Sequence, residues 1–465
     1  MNNFTYEMPE TGEMNVPVRV FASEKIIETI KKEKTTFEQA TNVSTLPGAV
    51  GRVVLCPDTH AGYGFPIGGV AAFDLKKGRV SPGMVGFDIN CGIRLLATDI
   101  SLEEFISRRK EILHELTRVI PRGLGRGGKV TLDRKKLDEI LKRGVQWAVE
   151  NGFGKEEDIE FCEENGKMPN VNPEDISERA KKRGIGQLGT LGAGNHFLDI
   201  QLVEEIFDKK ITKILGLKEN CICVMIHCGS RGLGHQVASD YIGKIEKEYG
   251  WPEVDRGLAH APINSELGKK YISAMNGAAN FAFCNRQIIM HNVREVLENF
   301  FPENKNNLIY DIAHNIAKIE KHDLEGKQKE VLVIRKGATR AFSKGSNEIP
   351  KKYGPIGQPV LIPGSMSTPS FVLVGTKGNS SLSFSSSAHG AGRAHSRTWA
   401  NKTITLEDVR KTLKKKDIIL EGSTKGTIEE SELSYKNVEE VIEITEKAGL
   451  SKKIAKLRPL AVLIG

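Results

Sequence analysis

From Gly86 to Leu96 the chain reads Gly-Phe-Asp-Ile-Asn-Cys-Gly-Ile-Arg-Leu-Leu, a carboxylate, an amide and a thiol held between two glycines just ahead of an apolar run. Asp88 and Cys91 stand three positions apart, roughly 10 Å of fully extended chain, so both can face one ion only where the backbone bends. Gly86 and Gly92 permit that bend, because glycine takes positive φ at little cost. The same residues also suit a buried turn with an inert cysteine, and the rest of the chain has to decide between the two readings.

A length of 465 residues allows about three domains or one large α/β unit. Hydrophobic residues at 39% and charged residues at 27% describe a folded protein rather than a disordered or membrane one. The net charge of +8 is a mild bias toward polyanionic partners, spread out rather than gathered in a tail. Seven cysteines form no CxxC pair, and the N-terminus shows no basic-then-apolar signal, so a reducing, cytoplasmic setting is expected. No apolar run reaches the roughly 18 residues of a membrane span.

Alternation over Met14 to Ala22 predicts a first strand, demoted to an edge by Pro17, followed by a helix over Ser23 to Lys32. Arg52 to Cys56 and Gly68 to Phe73 read as strands flanking a functional loop at Pro57-Asp58-Thr59-His60-Ala61-Gly62. Helical spacing over Leu102 to Val119 and Leu132 to Glu150 marks 101–183 as a helical insertion on the scaffold. Its Gly/Arg/Lys loop, with Arg122, Arg126 and Lys129, suits either phosphate binding or plain solvent exposure. Ile222 to Ile226 is a continuous apolar strand that delivers His227 at its end, followed by a helix over Leu233 to Tyr249 and a long one over Ser265 to Asn299. Leu308 to His322 reads as one block, Val360 to Gly364 and Ser370 to Val374 as paired strands, and Leu406 to Lys414 and Val438 to Ala448 as helices before a last strand near Ala461 to Ile464. The pattern is that of one mixed α/β unit with helical decoration.

Of eleven histidines, His114, His260, His291 and His322 sit in helical or charged surroundings and read as structural or surface residues. His60, His235 and His395 show no evident partner. His196, His227 and His314 each stand beside glycine or asparagine or at a strand end, and with Asp88 and Cys91 they make five potential metal ligands. A shared thiolate would let such a set serve two ions, and ligand chemistry alone favours zinc or iron. His389, in a Ser- and Gly-rich segment with Arg393 four residues on, suits either nucleophilic attack on a phosphoanhydride or a helix cap.

Six ordered motifs carry a resemblance: Gly86-Phe87-Asp88-Ile89-Asn90-Cys91-Gly92, Gly194-Asn195-His196-Phe197, His227-Cys228-Gly229-Ser230-Arg231-Gly232, Ala313-His314-Asn315, Pro363-Gly364-Ser365-Met366 and His389-Gly390-Ala391-Gly392-Arg393. Together they resemble the RtcB family of RNA-splicing ligases from about Met14 to Gly465. The resemblance implies a mixed α+β fold with central sheets in a single large domain. It also implies a GTP- and manganese-dependent ligase that joins RNA 2′,3′-cyclic phosphate or 3′-phosphate ends to 5′-hydroxyl ends. His389 then matches a guanylylated nucleophile and Asp58 the carboxylate that orients it. Asp88, Cys91 and His196 match one manganese shell, and Cys91, His227 and His314 the other. Asn195, Asp199, Ser365, Ser370 and Tyr435 match GTP contacts, the tyrosine as a stacking platform.

The chain departs from the family pattern at Asp199, Ser367 and Ile464, where glutamate, glycine and lysine are usual; the missing lysine implies weaker or less selective GTP binding. RNA, as tRNA halves or broken RNA, is the implied substrate and an archease-type activator an implied partner. A two-metal phosphoesterase, in which water attacks in place of His389, and an RNA-binding module with a structural metal are the other readings of the same residues.

Overall fold

A computed structural model describes residues 3–123, 127, 130, 132–324 and 326–465, and it is mixed α+β. A six-stranded sheet runs in the order β1 (Thr5–Met8), β2 (Val18–Phe21), β3 (Ala49–His60), β4 (Ile67–Asp74), β10 (Lys327–Lys336), β9 (Asn315–Leu324). An eight-stranded sheet runs β8 (Asn306–Ala313), β5 (Gly92–Ser101), β7 (Cys221–Cys228), β6 (Phe197–Ile206), β14 (Ser451–Ile464), β12 (Ser370–Gly375), β11 (Pro359–Ile362), and β13 (Ile419–Glu421) pairs in parallel with the end of β14. Every residue from Ile222 to Ile226 on β7 is fully buried, because both faces of that sheet are covered, which explains a continuous apolar run instead of an alternating one.

The helices pack on these sheets. α1 (Leu102–Val119) opens with a capping box between Ser101 and Glu104. The single helix expected over Leu132 to Glu150 is two, α2 (Arg134–Arg143) and α3 (Val145–Glu150). They break at Gly144, whose φ is +54° and where an added Cβ would lie 2.1 Å from the Gly166 carbonyl oxygen. α4 (Arg231–Tyr249) follows β7, and α5 (Glu266–Phe300) spans 35 residues, about 52 Å. Ser265 caps α5 by accepting from the Gly268 amide, and most of its length is buried against α2, α3, α4 and β7. One large apolar cluster joins both sheets to α5, and a second fills the far face of the eight-stranded sheet.

Three readings of the chain change in a way that matters for the site. The stretch Pro57 to His60 is not a loop: β3 continues through it with a register shift between Leu55 and His60 against β4, a bulge that suits a proline without an amide donor. Leu308 to His322 is two strands that belong to different sheets, with His314 at the crossing between them. The first strand is shorter than expected and is not an edge, because β1 covers it and Pro17 lies just outside.

Candidate metal and nucleotide site

The order of four neighbouring strands brings the candidate ligands together. In the antiparallel register Gly92 pairs with both Cys228 and Ala313, and Phe197 pairs with His227. Cys91 just before β5, His196 just before β6, His227 near the end of β7 and His314 just after β8 therefore meet at one end of the sheet. Asp88 joins them across the glycine-flanked turn, in which Asn90 takes a φ of +51°. Buried Arg286 on α5 holds that turn: it donates to the carbonyls of Asn90 and Cys228, both at 2.8 Å, and to Asp311. The His314 amide donates to the Cys91 carbonyl at 2.9 Å.

The ligand atoms form two groups that share Cys91. The His196 Nε2 lies 2.7 Å from Asp88 Oδ2 and 3.5 Å from Cys91 Sγ; the His227 Nε2 lies 3.2 Å from Cys91 Sγ and 3.3 Å from the His314 Nε2. Within each group the atoms lie within 4.8 Å of one another. Burial, then the charges of neighbouring imidazoles, push His227 and His314 well below the usual histidine value and keep both neutral. Burial opposes ionisation of Asp88, but the His196 charge beside it outweighs burial and holds the carboxyl near about 2. Two neutral imidazoles that face each other through Nε2 beside a thiol leave lone pairs converging on one point, the arrangement a divalent cation satisfies; neither His227 Nδ1 nor His314 Nδ1 has a hydrogen-bond partner. The residues present thus fit divalent cations, as two candidate ligand groups with Cys91 common to both.

His389 stands against this set, its ring 4.8 Å from that of His314. Its Nδ1 lies 2.6 Å from Asp58 Oδ2, and the same oxygen accepts from the His389 and Gly390 amides at 3.0 and 3.2 Å. Burial would raise the Asp58 carboxyl, yet the His389 charge and hydrogen bonds hold it below its usual range. The β3 bulge places this carboxylate, fully buried, against His389 Nδ1, so that whenever the ring is neutral its proton sits on Nδ1 and its lone pair on Nε2.

A cavity of about 640 Å3 runs past Asp88, Cys91, His196, His314 and His389, and a smaller one of about 160 Å3 joins His389 to Asn195, Arg393, Arg397 and Tyr435. Asn195, Ser365 and Tyr435 also line a cleft of only about 10 Å3 with Met366 and Ile464. The Tyr435 hydroxyl donates to Asn195 Oδ1 at 3.0 Å, and the Arg393 guanidinium lies 5.1 Å above its ring. Asp199 is raised well above its usual value by burial; its Oδ2 accepts from Gln201, which also donates to Ser370 Oγ at 2.9 Å. Arg122 reaches toward the Ile464 carbonyl at 3.5 Å, while Arg126 and Lys129 lie outside the described residues.

Other groups at the site were not singled out by sequence. His60 and His235 line the two cavities, the latter stacked on Phe87 at 5.0 Å. Lys336 lines the larger one, donates to the carbonyls of Tyr63 and Gly83 at 2.6 and 2.8 Å, and is brought down to about 7 by burial. His322, read as surface or structural, is buried and paired with Glu320 at 2.9 Å, away from the cavity. Only the apolar run Val331 to Ile334 just ahead of Lys336 could have flagged it, since an isolated basic residue there has no helical or metal-ligand spacing to mark it.

A family model described as tRNA-splicing ligase RtcB matches residues 39–465. The chain belongs to the RtcB family. Curated relatives agree over nine-tenths or more of their lengths: a tRNA-splicing ligase RtcB of Nanoarchaeum equitans is 47% identical, covering 100% of this chain and 98% of its own. That of Thermococcus kodakarensis is 46% identical with the same coverage, and an RNA-splicing ligase RtcB homolog 1 of Entamoeba histolytica is 43% identical over 97% of this chain and 90% of its own. The six motifs that carry the resemblance lie at strand ends and turns, and each supplies a residue that lines a cavity or cleft of the site. Among the described residues no helix is long and apolar enough to cross a membrane.

Proposed function

We propose that this RtcB-family chain is an RNA ligase of tRNA splicing or RNA repair that joins 3′-phosphate or 2′,3′-cyclic phosphate ends to 5′-hydroxyl ends at the expense of GTP. The observation that carries the reading is the pairing of His389 with buried Asp58 directly beside a ligand set built for two cations. The relatives, all named as RNA- or tRNA-splicing ligases, support the substrate class.

In this reading Asp58 holds the His389 proton on Nδ1 so that Nε2 attacks the α-phosphorus of GTP; the bond to the β-phosphate breaks and pyrophosphate leaves. GMP then passes from Nε2 to an oxygen of the RNA 3′-phosphate, and a 2′,3′-cyclic end is first opened by water. The 5′-hydroxyl attacks that activated phosphorus, a phosphodiester forms and GMP departs. Asp88, Cys91, His196, His227 and His314 would hold two manganese ions, which withdraw charge from the phosphates when bound. Asn195, Asp199, Ser365, Ser370 and Tyr435 are assigned to GTP, and the Arg122 to Lys129 loop, within a helical insertion over 101–183, to RNA phosphates.

A labelled RNA with a 3′-phosphate, mixed with a 5′-hydroxyl RNA, GTP and Mn2+, tests the proposal. Ligation gives one longer strand and free GMP. A two-metal phosphoesterase instead leaves a 3′-hydroxyl strand of unchanged length whether or not GTP is present, and that product would overturn the ligase reading.

A further inference from the structure

One stretch of sequence outside the cavity is strongly basic. Between Lys402 and Lys416 six cations stand against two carboxylates, a net +4 of the total +8. Five of them belong to α6 (Arg397–Thr403) and α7 (Leu406–Lys415), both packed on α8 (Thr424–Glu429), and Lys416 is the C-cap of α7. Lys411 is paired with Glu407 and Lys416 with Glu432, but Lys402, Arg410, Lys414 and Lys415 have no ion-pair or hydrogen-bond partner among the described residues. On a helix, residues four apart are neighbours about 5–6 Å from each other, so Arg410 and Lys414 form one short row of cations.

That row lines a groove of about 510 Å3 between α7 and β13, floored by Leu413, Ile418 and Leu420. Asp417 and Glu421 also line it, and Asp417 is neutralised by Arg109 at 2.6 Å, which leaves Glu421 as its one uncompensated carboxylate among the described residues. The groove is tied to the reactive cavity from two directions. Arg397, at the start of α6, lines the cavity with His389, and two residues on Trp399 carries exposed His395 stacked at 3.9 Å and 20°. At the other end Lys416 Nζ donates to the Ser367 carbonyl at 2.9 Å, beside the cleft that Ser365 and Met366 line, and Leu413 and Ile418 share an apolar cluster with Met366 and Ile464.

We infer that α6, α7 and the groove beneath α7 form a track for the single-stranded RNA backbone where it leaves the cavity. Unpaired cations in a row take phosphates, and the open face of the His395–Trp399 stack takes an unpaired base. The inference rests on the ligase reading for the identity of the nucleic acid, but its test does not depend on catalysis.

Binding of two 5′-hydroxyl RNAs, one of about 5 and one of about 30 nucleotides, is measured by fluorescence anisotropy across a salt series for the full chain and for Arg410→Glu/Lys414→Glu. Both positions are exposed, and thermal unfolding checks that the variant is folded. The longer RNA is expected to bind about tenfold more weakly to the variant at low salt, with the slope of log affinity against log salt reduced in magnitude by about 1.4, because two phosphate contacts to a single strand are lost. The short RNA and formation of a guanylate adduct on His389 should be unaffected. An unchanged slope for the longer RNA, or an equal loss for both RNAs, overturns the track, as does a parent dimer in sedimentation that the variant dissolves. If the parent forms no guanylate adduct the ligase reading fails, and the binding arms still decide whether RNA follows this face.

Discussion

At the level of single side chains, Cys91 is the group with least room for replacement, since its sulfur belongs to both ligand groups. Burial and the neighbouring Asp88 push its thiol up to about 12, so a thiolate there depends on cations to stabilise it. Cys91→Ser should lose guanylylation and two-ion binding, read by Mn2+ titration, with the melting temperature of the apoprotein nearly unchanged; a variant that still forms the adduct would refute a bridging sulfur. Asp58→Asn keeps the shape but lets the His389 proton sit on either nitrogen, and the guanylylation rate should fall about 10²- to 10⁴-fold in single-turnover assays. Ile464 lines the narrow cleft and packs with Met366, so this chain lacks a charge there. Ile464→Lys should strengthen GTP binding by about 1.5–3 kcal/mol if the usual family lysine donates to the base, and calorimetry giving equal or weaker binding would reject that role.

At the level of elements, what sequence revealed and what it hid have a common cause. Candidate ligands adjacent to glycine or at the end of an apolar run, such as Cys91, His196 and His227, could be singled out because local chain chemistry marks a strand end or a turn. Their meeting was not, because it depends on the pairing order β8, β5, β7, β6, which no local pattern encodes. Asp58 looked like a loop residue because Pro57 and Gly62 bracket it, yet tertiary pairing drew the segment into β3 as a bulge and buried the carboxylate. His60 and His235 went unassigned for the same reason: their neighbours in space come from other segments. Gly144 shows the reverse case, a glycine whose role as a helix break is local; Gly144→Ala should cost about 1–3 kcal/mol in urea unfolding through a forced positive φ and a clash with Gly166.

For the whole molecule, stability toward acid follows from buried and half-buried carboxylates tied to cations. Lys318 first, against burial, and then Arg340 hold Glu164 near about 2, and Arg286 and Arg94 overcome burial to hold Asp311 below its usual range. A carboxyl lowered in the folded state contributes stability that is fully present above its unfolded value, about 4.3 for glutamate, and is lost as pH falls toward the folded value. The melting temperature should therefore change little from pH 7 to 5 and drop steeply between about 4.5 and 2, a window that circular dichroism can follow. The two sheets, the long buried α5 and the cluster of ion pairs between them form the rigid frame on which the ligand set depends. The most direct test of the account is the intact mass of the chain after incubation with GTP and Mn2+: a gain of one GMP that is absent from His389→Ala is the expected result, and no adduct on the unaltered chain with any divalent metal would contradict it.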